Sequence, residues 1–199
     1  MGLWTLILEG TMSKLIGITG FARSGKDTFY ELSSRYLESV DKKSKRFAFA
    51  DVLKSECDEI TVKHTGISCF TSNDQEKFLI RPLLVAYGTH LRRQLNPNCW
   101  IDGIKDQVRS SLGDGDVVFI TDVRFKNEVD WVIAEGGQVV SIEREGIGPA
   151  NPDEDSQSKL IAPLVNHTLS WETFGEDSLH RGQGSVIPIL FNILGNGDN

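Results

Sequence analysis

Positive charge is in short supply in this chain. Lys and Arg number 21 against 28 Asp and Glu, a net charge of −7. A general nucleic-acid binder needs a basic surface and is excluded on that ground. A nucleotide substrate is not excluded, because individual arginines and lysines bind phosphates within an acidic protein. Cysteine is scarce as well. Cys57, Cys69 and Cys99 are odd in number and lack C-x-x-C spacing, which argues against a disulfide framework or zinc site and fits a reducing cytoplasm. No apolar run has the length needed to span a bilayer, and there is no internal repeat or low-complexity tract. The apolar stretch Leu3 to Leu8 is too short for a signal-peptide core and has no basic residue before it. Leu6 stands where a myristoylation motif needs Ser or Thr. Residues 1–11 therefore read as an N-terminal extension, and 12–199 as a single domain with enough hydrophobic residues, 39% of the chain, to bury a core.

What is present starts at Leu15. The segment LIGITGFARSGKDT, residues 15–28, runs an apolar strand into G-x-x-x-x-G-K, the pattern of a phosphate-binding loop. Gly20 and Gly25 let the backbone curl so that N–H groups face a polyphosphate. Lys26 adds a point charge, and the following helix presents its positive end. Asp27 occupies the position where Ser or Thr usually meets Mg²⁺, and Thr28 follows. A carboxylate there can hold the metal directly or through water, or can simply complement the helix dipole.

Beyond the loop the pattern alternates. Thr28 to Val40 has helical spacing, Arg46 to Ala50 reads as a strand, and Val52 to about His64 as a helix. Pro82 is expected at the first position of a helix reaching about Leu95. Asn96-Pro97-Asn98 breaks it, and Trp100 to Leu112 continues as a helix. Val117 to Thr121 is a buried strand, Asn127 to Glu135 a helix, and Gln138 to Ile142 a strand. Residues 145–158, rich in Gly, Pro and acids, read as a mobile loop or lid. Leu160 to Val165 is the last expected strand, and Val186 to Leu194 a closing helix. Strands alternating with helices predict an α/β fold with a parallel sheet covered on both faces.

Ligands of such sheets bind beyond the carboxyl ends of the strands. Asp51 and Asp122 are expected there with the phosphate loop. Asp122 opens D-V-R-F-K-N-E, which brings Arg124 and Glu128 close to it, and an acid in that place commonly orders Mg²⁺. Gly88 and Arg92 follow Arg81 by seven and eleven positions. At about 100° per residue both offsets fall within about 20° of whole turns, so the three share one helix face. A glycine between two guanidinium groups admits a ligand close to the backbone. Arg93 points about 120° from that face, yet remains a candidate if the helix ends early.

Several segments together resemble the deoxynucleoside monophosphate kinases of tailed phages. They are GFARSGKDT at 20–28, FADVLK at 49–54, RPLLVAYGTHLRR at 81–93 with Trp100 beyond, ITDVRFKNE at 120–128 and, more weakly, VNHTL at 165–169. The resemblance implies a P-loop nucleoside monophosphate kinase-like fold and transfer of the ATP γ-phosphoryl group to a deoxynucleoside 5′-monophosphate, with Mg²⁺, in the cytoplasm (the host's, if phage-encoded) of a monomer or homodimer. It implies ATP on Gly20, Arg23, Ser24, Gly25, Lys26, Asp27 and Thr28, with Asn166 near the adenine. It places the acceptor near Leu53, Lys54, Arg81, Gly88, Thr89, Trp100, Asp122, Arg124 and Glu128, and the strand-end and helix-face positions add Asp51 and Arg92, with a nucleotide-binding region of about 51–112. Asp27 and Asp122 would serve the metal, and Lys26, Arg81, Arg124 and Asp122 the transfer itself. Ala22 and Phe29 stand where some relatives carry polar residues. Two rival expectations are a P-loop kinase for another small acceptor, such as dephospho-coenzyme A, and a nucleotide-binding switch with no acceptor.

Overall fold

The computed structural model describes residues 14–171 and 179–195, and the extension expected at 1–11 lies outside them. Five parallel strands form one sheet, β1 (Leu15–Thr19), β2 (Ser44–Phe47), β3 (Val117–Ile120), β4 (Gln138–Arg144) and β5 (His167–Trp171), in the order β2-β3-β1-β4-β5. Residues alternate between two buried faces, which is why the central strands read as unbroken apolar runs. Ile16, Ile18, Val117, Phe119, Val140 and Ile142 enter a core closed by α1 (Lys26–Ser39) and α8 (Leu179–Gly195). Leu15, Val118, Ile120 and Val139 enter a second core, with α5 (Cys99–Gly113) and α6 (Lys126–Ala134). Phe29 is wholly buried in the first core, so its departure from a polar residue is a packing choice rather than a lost contact.

The alternation of strand and helix holds, and four local expectations fail. The second strand ends at Phe47, and Phe49–Thr65 is already helix α2, so Asp51 lies in a first helical turn rather than after a strand. Pro82 does not open its helix. α3 spans Asp74–Val85, capped by the Asn73 side chain, and Pro82 sits inside it. The residues 151–161 form a capped helix in place of a loop: Asn151 accepts from the Glu154 N–H, and α7 runs Pro152–Ile161 with Asp153, Glu154 and Asp155 in its first turn. An N-cap asparagine, Pro at N1 and three acids are helix-start signals present in the sequence. The expected strand at Leu160 to Val165 is the end of α7 and a short 3₁₀ turn, Ala162–Leu164, and the true edge strand follows it at His167.

Between α3 and the three-residue α4 (Arg93–Leu95) the chain forms a π-helix, Ala86–Arg92, in which the Arg93 N–H bonds the Gly88 carbonyl five residues back. Each π turn takes in an extra residue. The helix face therefore slips by one position, and the α-helical projection that joined Arg81 to Arg92 no longer applies beyond it.

Candidate active site

The carboxyl ends of β1 and β3 hold the two halves of the site. In the loop after β1, Gly20 (φ 137°), Arg23 (φ 67°) and Gly25 (φ 98°) are left-handed or beyond, the conformations that curl the backbone. A Cβ at Gly20 would meet the Ile142 carbonyl at 2.3 Å, so that position tolerates only glycine. Lys26 Nζ donates to the carbonyls of Gly20 and Phe21 at 2.8 Å each, folding across the loop. α1 begins at Lys26 with no side-chain cap, leaving its first N–H groups for an anion. Asp27 is exposed and Thr28 half-buried in that first turn. The Arg23 carbonyl accepts from Arg144 Nη1 at 3.4 Å.

Burial lowers the Lys26 pKa first and the Arg124 cation second, while Asp27, Glu154 and Asp122 oppose them. That set draws Arg124 and three carboxylates around the lysine. Asp122 is pushed up by burial, against the two backbone N–H groups that it accepts, from Phe49 and Ala50, each at 2.8 Å. It is thus both the cap of α2 and a wall of the cleft beyond. Glu128 is 1% exposed. Its Oε2 accepts the N–H groups of Arg124 and Phe125 at 2.7 and 3.0 Å, and its Oε1 pairs with Arg93. Burial raises its pKa and Arg93 opposes the rise.

Beside the loop lies a cleft of about 510 Å³, the size of a small-ligand pocket. Of the acceptor-side residues expected from the sequence, Leu53, Arg81, Gly88, Thr89, Trp100, Asp122, Arg124 and Glu128 line it. Trp100 is chiefly core, 3% exposed, with the Arg92 guanidinium 5.6 Å from its ring. Gly88 is buried against Leu53, where a Cβ would come within 2.9 Å of Cδ2.

Four expected residues lie elsewhere. Asp51 pairs with Arg46 at 2.9 Å. Lys54 sits 5.5 Å from the Phe70 ring. Arg92 bonds Glu56 with two nitrogens, at 3.1 and 2.9 Å, and Arg93 takes the cleft position, as the π-helix slip requires. Asn166 is spent at the amino ends of β4 and β5, where its N–H donates to the Val139 carbonyl and its Oδ1 accepts from the Val139 N–H. The phosphate loop is at the opposite, carboxyl ends.

The sequence gives Arg93 only as a candidate should its helix end early, and it does not assign Phe125, the α7 start or Trp171. Arg93 and Phe125 line the cleft, as do Asn151, Asp153 and Glu154 of the α7 start. Trp171, at the end of β5, donates to the Ser24 carbonyl at 2.7 Å. A lone tryptophan far along the chain carries no sequence signal of that contact.

The loop fits a nucleotide triphosphate. Ser24 Oγ and Thr121 Oγ1 are buried at these strand ends without a hydrogen-bond partner among the described residues, and the α1 N–H groups are uncapped. No three His, Cys, Asp or Glu side chains among the described residues converge to cage a metal. Mg²⁺ binds through one or two carboxylates and substrate phosphates, and Asp27 and Asp122 are the carboxylates at hand.

Dephospho-CoA kinase from Campylobacter jejuni resembles this chain with a TM-score of 0.52 and 15% identity, over 93% of this chain and 100% of that one. The chain has a P-loop kinase fold. TT1252 from Thermus thermophilus is less similar, with a TM-score of 0.44 and 11% identity over 89% of this chain and 96% of that one. No family model and no curated protein matches the sequence. Among the described residues of this kinase fold, no helix is long and apolar enough to cross a membrane.

Proposed function

We propose that this chain transfers the γ-phosphoryl group of ATP to deoxynucleoside 5′-monophosphates, giving diphosphates for DNA synthesis. The observation that carries the reading is the position of Arg124, which lines the acceptor cleft and also a smaller pocket with Gly20 and Phe21 of the phosphate loop. A cation between donor loop and cleft suits two phosphates brought together. Lys26 and the α1 N-terminus hold the donor phosphates, and Arg81 and Arg124 orient the acceptor phosphate in line. Its oxygen is already anionic at neutral pH, so attack on the γ-phosphorus, with ADP leaving, needs no general base, and positioning and charge neutralisation suffice. Mg²⁺, held by the phosphates with Asp27 and Asp122, supplies further neutralisation when bound. The α7 start, which lines the cleft with these groups, limits water.

The fold similarity to dephospho-CoA kinase favours a second reading, phosphorylation of a hydroxyl acceptor such as dephospho-coenzyme A. An alcohol must lose a proton, and Asp122, with its pKa raised, is the carboxylate placed to accept it. An ATP-coupled assay over the four deoxynucleoside monophosphates, their ribose counterparts and dephospho-coenzyme A separates the two. Turnover with deoxynucleotides alone is expected. Turnover with dephospho-coenzyme A alone replaces the first reading with the second, and slow ATP hydrolysis indifferent to every acceptor removes both.

A further inference from the structure

Arg93, which the α-helical projection turns about 120° from the Arg81 face, lines the cleft. Its side chain is 14% exposed, and it is pinned from behind. Glu128 pairs with its Nη2, its Nη1 reaches the Pro97 carbonyl at 3.5 Å, and the guanidinium carbon lies 3.9 Å from the centre of the Phe125 ring. This leaves Nε–H and one N–H on each terminal nitrogen to donate. Glu128 cannot follow a ligand, because its other oxygen is taken by the N–H groups of Arg124 and Phe125. The guanidinium is therefore oriented before anything binds, which lowers the entropy lost on binding.

The pairing also decides what Arg93 offers. Glu128 cancels its charge, so it adds little net field for a phosphate. It contributes directional N–H donors, beside Phe125 and on a wall that includes Leu53, Phe49 and Trp100. Arg124 lines a pocket with Gly20 and Phe21 of the phosphate loop and so marks the phosphate end, whereas Arg93 lines the wider cleft and not that pocket. A neutralised fork of donors among aromatic and aliphatic side chains matches acceptor atoms on the edge of a planar base, the way arginine meets guanine.

We propose that Arg93 is a substrate-binding residue that donates hydrogen bonds to the nucleobase of the acceptor nucleotide, and that Glu128 is its positioning residue and does not touch the substrate. The inference rests on the deoxynucleotide reading of the cleft, but its test does not require turnover.

Calorimetric titration with dGMP, and with 2-deoxyribose 5-phosphate as the same ligand without a base, reads it directly. Arg93→Met and Glu128→Gln should each weaken dGMP about tenfold or more, the cost of a lost bidentate contact. Binding of the baseless sugar phosphate and of ATP should stay within about twofold. Because Glu128 acts through Arg93, the double variant should bind dGMP no more weakly than Arg93→Met alone. Arg93→Lys, which keeps a cation against Glu128 but loses the fork, should lose dGMP while melting like the wild type. Equal losses for dGMP and the sugar phosphate would move Arg93 to the phosphate and overturn the proposal. So would unchanged dGMP affinity in Arg93→Lys, and additive losses in the double variant would return Glu128 to the ligand. Wild-type protein that binds dGMP without phosphorylating any acceptor counts against the kinase reading alone. Failure to bind dGMP at all overturns the Arg93 proposal, and the kinase reading falls with it only when no deoxynucleoside monophosphate is phosphorylated.

Discussion

Trp171 Nε1 donates to the Ser24 carbonyl at 2.7 Å, and its ring lies 2.8 Å from where a Cβ on Gly25 would stand. The edge strand thus braces the phosphate loop from beneath, and the second glycine of the loop is required by this packing as well as by its φ. Trp171→Phe keeps most of the ring and leaves a buried carbonyl unpaired, at a cost of about 1–3 kcal/mol. A lower melting temperature and a several-fold higher KM for ATP are expected. If both stay at wild-type values, the brace has no part in ATP binding.

Among the described residues Lys26 reaches no carboxylate by hydrogen bond; it folds onto two loop carbonyls. Lys26→Ala therefore removes charge from the loop without breaking a buried ion pair. Transfer should fall by several orders of magnitude while thermal unfolding changes little. Near-normal kcat in a folded Lys26→Ala protein would sink the assignment.

The depressed pKa of Lys26 makes a pH prediction. Burial is the larger cause and Arg124 the next, so Arg124→Gln should raise the lysine pKa. The cation needed for phosphate then survives to higher pH, and the alkaline limb of kcat/KM for ATP, which reports the free enzyme, moves up. An alkaline limb that stays in place separates Arg124 from Lys26. For stability, the unfolded state binds more protons between the depressed folded value and the ordinary lysine value of 10.5, so this lysine's contribution increases as pH rises through that window.

Asp122 caps α2 through two backbone N–H groups. Asn can accept with its oxygen only and turns its NH₂ toward the other donor, so Asp122→Asn should cost about 1–3 kcal/mol of stability in addition to activity. Its folded pKa is raised by burial, so its linked contribution is complete below the unfolded value and lost as pH rises through the folded one. The stability gap between wild type and Asp122→Asn should accordingly narrow as pH rises from about 4. Urea melts over a pH series measure it, and a gap that widens reverses the sign of the burial effect.

Gly88 meets Leu53 so closely that a Cβ would approach Cδ2 to 2.9 Å. The Leu53 side chain can yield only by shifting along the cleft wall that it shares with Gly88. Gly88→Val should raise the acceptor KM at least several-fold and leave the KM for ATP near its wild-type value, since the phosphate loop is on other elements. Equal changes in both constants would place the effect in the fold rather than the cleft.

Legibility in the sequence followed the range of the interaction. Strand β1 and the Gly20–Lys26 loop were readable because their geometry depends on neighbours within a few residues. So was the Asp122–Glu128 segment, although Glu128 is a buried anchor rather than an exposed group. The Arg81 face was half right. Arg81 and Gly88 line the cleft, but a π-helix has no periodic signature that would have exchanged Arg92 for Arg93. Asp51 and Lys54 went astray because α2 begins three residues earlier than its apolar spacing indicates. Asn166 went astray because matching a short motif does not say which end of a strand it occupies.

By itself the sequence determined an acidic α/β protein with a phosphate loop. Local backbone conformation and strand–helix alternation follow from residue types and spacing. Only the tertiary structure decided that Trp171 closes the loop from below, that Asp122 caps α2, and that Glu128 holds Arg93 against Phe125. These are contacts between segments tens to more than a hundred residues apart, and a single sequence does not encode their register. The register is set by how five strands and their helices pack.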